Sequence, residues 1–437
     1  MTTRASGAAD QAVDGGRIDA HLAAFAELSE PGPGCTRLAY SPLERAAHAV
    51  FAAHMAALGL RVRTDHAGNT LAELPGAGAG KDRGDGGDGD GGGDSRAIGT
   101  GSHLDTVPSG GGFDGIVGVV AAMEVAEVMV RQGVPHRRPW RFVAFAAEEG
   151  ARFGQACNGS RMAAGLTGAA DLAGFTDAGG TTMAAAMAAA GLRPDLVDAS
   201  RWRPEEWSAF VELHIEQGEV LHSSGVGLGV VDVISGSTRL RVRAEGRATH
   251  SGGTPMHLRR DALVTAAECV LLGDRLARDP AHDGVRVTVG RLTVEPGSIT
   301  TVPGAAEFYV DIRDTDPVRQ RAAARALAAD FAGAADARGV RLATETIADT
   351  APVVLPDRVS AHARAACADL GLPHRVLPSG ASHDAQQIGR IIPTALLFVP
   401  SHGGLSHVPE EFTLTPQIVA GTRALLATLR RLDGARV

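Results

Sequence analysis

The apolar positions of this chain change period several times, and each change marks an element. Between residues 17 and 60, Leu43, Ala46, Val50, Met55 and Leu58 recur at helical spacings. RVRTDHAGNTLAELPG (61–76) alternates instead, which predicts a β-hairpin with Gly68-Asn69 at its turn. From residue 97 the rhythm becomes strand then helix. AIGTGSH reads as a short strand ending at His103. Asp114 opens a helix to about Arg131, with Ile116, Val120, Met123 and Val130 on its inner face. WRFVAFAA (140–147) is a strand that delivers Glu148 and Glu149, and SAFVELHIEQG (208–218) is another, carrying His214. Such alternation predicts an α/β fold on a mostly parallel sheet, whose sites lie at the carboxyl ends of its strands.

Residues 235–350 follow a different order. STRLRVRAEG, HLRRDALVTAAECVLLGDRL, VRVTVGRLTVEPG, AAEFYVDIRDTD, PVRQRAAARALAADFAGAADARG and VRLATETIAD read β-α-β-β-α-β, the ferredoxin-like α+β motif. This predicts an inserted domain that splits the α/β domain into segments 1–234 and 351–437. The second segment carries a helix near 358–370, the stretch HRVLPSG, a buried strand TALLFVPS and a last helix over 415–432. Two domains also suit the length, since 437 residues exceed one ordinary core. Residues 77–97 are Gly/Asp low complexity, too polar to order themselves, and read as a flexible surface insertion.

Composition narrows the setting. A formal charge of −8 argues against a nucleic-acid partner. Aromatic residues make up only 4%, so Ala, Val and Leu must fill most of the core. Cys35, Cys157, Cys269 and Cys367 are scattered without a CxxC pair, the usage of buried thiols in a reducing compartment. The N-terminus has no apolar signal region, and no run is long and apolar enough for a membrane span. The expected location is cytoplasmic, with no membrane partner.

Candidate chemistry lies in four Gly-punctuated stretches: GSHLDTVPSGGGFDG (101–115), AFAAEEGARFG (144–154), ELHIEQG (212–218) and SHGGLSHVPEEF (401–412). They hold His103, Asp114, Glu149, His214 and His407, with Asp105 and Glu148 beside two of them. Imidazoles with carboxylates and no thiolate suit zinc, manganese or cobalt. Two ions need about six to eight protein bonds, and a carboxylate can bridge both. The set is large enough for a hydrolytic two-metal centre. SGGGFDG lacks the Lys-[Ser/Thr] of a phosphate loop, so no nucleotide site is expected there. The pair Glu410-Glu411 reads as a solvated face, and His383 beside Asp384 as either a site residue or a packing one.

In these motifs the chain resembles the amidohydrolase family of N-carbamoyl-L-amino acid hydrolases, allantoate amidohydrolases and β-ureidopropionases, within the aminoacylase-like metallopeptidase clan. The likeness runs from TRLAYSPLERAA (36–47) to the C-terminus. HxD with Asp eleven residues on, EEGARF and HIEQG carry it together. The resemblance implies two divalent metal ions, Zn²⁺ or Mn²⁺/Co²⁺. His103 and His214 would each hold one, Asp114 would bridge, and Glu149 and His407 would complete the sites. Asp105 would orient His103, and Glu148 would be the general base. His250 in RATHSGGTP would polarise the scissile carbonyl, Arg313 in VDIRDTD would pair with the substrate carboxylate, and Gln217 would touch substrate. The partner would be a small carbamoyl or ureido amino acid, and His250 and Arg313 arriving from a neighbouring lid would make the active unit a homodimer.

Two positions depart from the family pattern. Thr300 in GSITTVPG stands where the substrate-binding Asn is usual, and Ser382 in PSGASHDAQ where Gly is common. Both bear on substrate and leave the metal chemistry alone. The leading expectation is cleavage of an N-carbamoyl-L-amino acid to ammonia, carbon dioxide and the amino acid. Rival activities are allantoate or β-ureidopropionate hydrolysis, or a dipeptidase or N-acyl amino acid deacylase of the clan. A non-catalytic metal-binding protein would lack a ligand or the base, and none is missing.

Overall fold

The computed structural model describes residues 12–77 and 95–435. Most of the stretch expected to be a flexible insertion lies outside them. Contacts divide the chain into two compact units, one of 1–232 with 355–437 and one of 233–354.

Strands β1 (Arg61–Thr64), β2 (Thr70–Leu74), β3 (Ala97–His103), β4 (Trp140–Phe145), β5 (Trp207–Ile215) and β6 (Leu228–Ile234) come first along the chain. In the second unit follow β7 (Gly236–Glu245), β8 (Thr249–His250), β9 (Arg286–Glu295), β10 (Thr301–Val302), β11 (Ala305–Asp314) and β12 (Arg341–Thr350). The last are β13 (Val353–Val354), β14 (His374–Ser379) and β15 (Thr394–Val399). The large sheet runs β1-β2-β4-β3-β5-β15-β6-β13, with β14 beside β6. Its centre, β4-β3-β5-β15, is parallel, and the flanks are antiparallel. The hairpin β1–β2 forms around 65–69 as the alternation predicts.

Register decides where the chemistry falls. His103 pairs with Phe145, and His214 with Phe398, so the central strands end nearly level. Each then hands the chain to a loop at the same edge of the sheet. β3 is buried at every residue, as a strand covered on both faces must be. The helix Ile116–Arg131 was expected to show one inner face, yet it is buried from Ile116 to Met129. The reason is that it packs on the sheet and is covered in turn by the helices Gly15–Ala26 and Thr415–Gly434. Of its two buried acids, Glu124 is paired with Arg17 at 2.6 and 2.8 Å and Glu127 with Arg131. Gly118 lets this helix approach closely, since a Cβ there would lie 2.2 Å from the Leu213 carbonyl oxygen.

In the second unit four antiparallel strands run β12-β7-β11-β9, with helices Ala262–Arg278 and Pro317–Ala337 against them. Alternate residues of β7 and β11 point to the helices. Leu240, Val242, Phe308, Val310 and Ile312 therefore form a core with Cys269, Leu327 and Phe331. All four cysteines are buried free thiols. No helix among the described residues is long and apolar enough to cross a membrane.

Close strand packing at β3 is testable. A Cβ at Gly101 would sit 1.8 Å from the Val143 carbonyl oxygen, whereas one at Gly112 would meet nothing within 4 Å. Gly101→Ala should lower unfolding free energy by about 2–3 kcal/mol in urea titrations. Gly112→Ala should leave the midpoint where it is.

Candidate metal centre

The carboxyl ends of β3, β4, β5 and β15, with the loops that follow them, bring the other four expected ligands together around Asp114. Its Oδ1 lies 3.6 Å from His103 Nε2 and 3.2 Å from His214 Nε2. Its Oδ2 lies 3.2 Å from His407 Nε2, which is 3.5 Å from Glu149 Oε1. The carboxylate thus faces two donor groups, one oxygen to each: His103 with His214, and His407 with Glu149. The two strand-end histidines thus converge on the same oxygen of Asp114, a different grouping from the expected one histidine to each ion.

The donor set fits cations. His103 Nδ1 donates to the Asp105 carbonyl at 3.1 Å and His214 Nδ1 to the Ile215 carbonyl at 2.8 Å. A carbonyl can only accept, so Nδ1 carries the proton in each ring and Nε2 is left to face Asp114. Two imidazole nitrogens and a carboxylate oxygen then share one buried point that asks for positive charge. Burial alone would raise Asp114, but the three imidazoles hold it well below the usual carboxylate range. Burial and the neighbouring charges of Asp114 and Glu148 push Glu149 well above it. Contact with Asp114 lifts His407 to about 9. The Gln217 amide nitrogen is 2.7 Å from Asp114 Oδ2 and 3.2 Å from His407 Nε2, an N–H donor where candidate ligands converge. His407 forms the open side, with its side chain 49% exposed.

Glu148 and Glu149 occupy a segment whose backbone has left the sheet. β4 ends at Phe145, and the next four amides donate to side chains: Ala146 to Asn69 Oδ1 (3.0 Å), Ala147 to Glu44 Oε1 (2.7 Å), and Glu148 and Glu149 to the two oxygens of Asp105 (both 2.9 Å). Asp105 also lies 3.5 Å from His103 Nδ1, so it does more than orient that ring. Ala147 itself is left-handed, with φ +55. Burial raises the Glu148 carboxyl, and Cys157 Sγ donates to its Oε1 at 2.9 Å.

Several residues around the centre escaped sequence reasoning. Glu411, expected on a solvated face, is 4% exposed. Its Oε1 accepts the amides of Phe113 and Asp114, and its Oε2 accepts the Ser406 hydroxyl. Gly111 is required beside it, since a Cβ there would lie 2.1 Å from Oε1. Gly115, at φ +70, leaves room for the His103 ring 2.4 Å from where a Cβ would be. His383 braces His214, ring to ring at 4.5 Å, with its Nε2 on the Ser379 hydroxyl. Glu212, close to both, already accepts from Ser102 and Ala385, which makes this group a support and not a further ligand set.

The remaining expected residues lie in the second unit. His250 and Thr300 are neighbours there: His250 pairs with Thr301 across β8–β10, and the Ser251 amide donates to the Thr300 carbonyl. His250 Nδ1 accepts the amides of Gly252 and Gly253, both at 3.1 Å, so its Nε2 is the ring's donor. Arg313 stands elsewhere. It pairs with Asp311 at 2.7 Å near the far end of β11, eight residues along the strand from Ala305. That is about 26 Å of extended chain from the His250 end. The two residues therefore stand toward opposite ends of the unit's strands.

Comparison with known proteins identifies the family. The family model for peptidase family M20/M25/M40 matches residues 99–431. An N-carbamoyl-L-amino-acid amidohydrolase of Paenarthrobacter aurescens is 38% identical over 95% of this chain and 98% of its own length. An allantoate amidohydrolase of Bacillus subtilis is 35% identical over 91% and 93%. The crystal structure of a hydantoinase/carbamoylase family amidase from Burkholderia vietnamiensis superposes with a TM-score of 0.84 at 32% identity, covering 97% and 98%. The chain belongs to peptidase family M20/M25/M40 and stands among its amidohydrolases, hydrolases of amide C–N bonds.

Proposed function

We propose that this enzyme hydrolyses a linear carbamoyl or ureido amide, in the first place an N-carbamoyl-L-amino acid, at a centre of two divalent metal ions. The observation that carries the reading is the division of Asp114, one oxygen toward His103 and His214 and the other toward His407 and Glu149. Zinc, manganese or cobalt suits these ligands. Two such ions, when bound, lower the pKa of a shared water toward neutrality and polarise the scissile carbonyl.

The chain's own groups do the rest. Glu148 takes the proton of the water as its oxygen attacks the carbamoyl carbon. It returns that proton to the departing nitrogen as the C–N bond breaks and ammonia leaves. The carbamate left behind loses carbon dioxide to give the amino acid. His250 presents its Nε2 proton to the developing oxyanion, and Arg313 pairs with the substrate carboxylate. Gln217, already on the ligand shell, contacts substrate, and Thr300 lies beside His250 where its short side chain bears on specificity. The separation of His250 from Arg313 along β11 supports a homodimer in which different copies supply them. Thr300 also favours keeping a second reading, a dipeptidase or N-acyl amino acid deacylase of the same clan.

Three outcomes test the proposal. Glu148→Gln should lower kcat for ammonia release by about 10²–10⁴-fold with metal content unchanged, and retained turnover would remove Glu148 as base. Metal analysis should find two ions per chain in the native enzyme and near none in Asp114→Asn; a full complement in that variant would end the bridging assignment. Arg313→Ala should raise KM for N-carbamoyl amino acids with little change in metal content. A panel including allantoate, β-ureidopropionate, dipeptides and N-acyl amino acids separates the readings.

A further inference from the structure

Glu44 is a buried carboxylate with no part in the mechanism above. It lies in the first turn of the helix Pro42–Ala57, where an acid ordinarily faces water near the helix N-terminus. Here its exposure is 0%. Its Oε1 accepts the Ala147 amide at 2.7 Å and its Oε2 the Tyr40 amide at 2.5 Å. Both donors belong to non-glycine residues in the left-handed region, Ala147 at φ +55 and Tyr40 at φ +54. Such a conformation costs about 1–2 kcal/mol and persists only where surrounding contacts hold it. Ala147 immediately precedes the acid pair, so its φ sets the direction in which Glu148 leaves the strand.

We propose that Glu44 is a positioning residue for Glu148, its carboxylate locking the left-handed turn at Ala147 that aims the general base. The other amides of the segment are held by Asn69 and Asp105. Glu44 holds the amide of the turn residue, whose carbonyl accepts the backbone and side-chain amides of Asn158. It reaches across 103 positions of sequence to do so. The inference rests on Glu148 serving as base, and the experiment separates the two.

Glu44→Gln keeps the shape of the side chain but replaces one acceptor with an N–H₂ group facing an amide. In the metal-loaded enzyme it should lower kcat by about 10- to 100-fold, as small misplacements of a reacting group do, with KM within about twofold and bound metal unchanged. In a Glu148→Gln background the same substitution should cost no further turnover, because the group it aims is already gone. A kcat equal to the native value overturns the proposal. So does a loss that multiplies with that of Glu148→Gln, or one that tracks lost metal. Should Glu148→Gln alone keep full activity, the general-base reading fails on its own, whatever Glu44→Gln does. Glu44→Asp, which keeps a carboxylate but shortens its reach, is measured alongside with the same expectation. Failure of both variants to fold overturns the proposal too, since Glu44 would then belong to the fold alone.

Discussion

Beyond the end of β4 no neighbouring strand among the described residues receives the backbone, and the site depends on what replaces it. Four successive amides, from Ala146 to Glu149, donate to buried side chains of Asn69, Glu44 and Asp105. The carbonyls on the other side accept the amides of Gly159, Asn158 and Cys157. A buried segment with unpaired amides would lose on the order of 1–3 kcal/mol for each. Side chains from three separate elements therefore do here what a ladder does elsewhere. Because they are not repetitive, they permit a left-handed residue at Ala147 and two consecutive acids aimed at one point. The geometry of Glu148 and Glu149 is inherited from this arrangement.

The same arrangement concentrates negative charge. Asp105, Asp114, Glu148 and Glu149 are each at most 8% exposed, and Asp105 and Asp114 both lie within 4 Å of His103. Buried carboxylates are stable only when paired or neutralised. Asp105 answers with two amides, and Asp114 accepts from the Gln217 amide and the Ser406 hydroxyl while three imidazole nitrogens face it. Glu149 has the least compensation and responds with a carboxyl pushed far up. An amino-acid sequence that buries this much charge at one edge of a sheet, and orients two imidazoles by their backs, is arranged around positive charge from outside the chain. That physical reason joins the residue inventory to the family likeness.

Legibility in the sequence followed the same division. His103, Asp114, Glu148, Glu149 and His214 stand at ends of strands or at a helix start, where a change of hydrophobic period marks the boundary. They could be singled out as candidates because period and residue type agree. Glu411 could not be read, since beside Glu410 it looks like any exposed acidic pair, and its partners Phe113 and Asp114 lie nearly 300 residues away. Asn69 passed as an ordinary turn residue, although its side chain reaches both Ala146 and Gly159. Glu44 lies in a stretch whose sequence shows only helical periodicity. Each acts on a distant backbone amide, and neither periodicity nor spacing encodes a contact of that kind. The all-round burial of Ile116–Arg131 was likewise illegible, because a helix pattern shows its own face and not the two helices that cover the other.

The second unit sets a different limit on inference. Its strand pattern was readable, but the distance between two residues on it was the informative quantity, and that needed the register. β11 pairs with β7 from Ala305 opposite Glu245 to Asp314 opposite Gly236, so the strand acts as a ruler. His250 belongs to one end and Arg313 to the other. A carbamoyl amino acid is only a few bonds from carboxylate to carbamoyl nitrogen, far less than the length of that ruler. On the proposed reading, then, a polarising histidine and a carboxylate-binding arginine at the same substrate demand two copies of the unit.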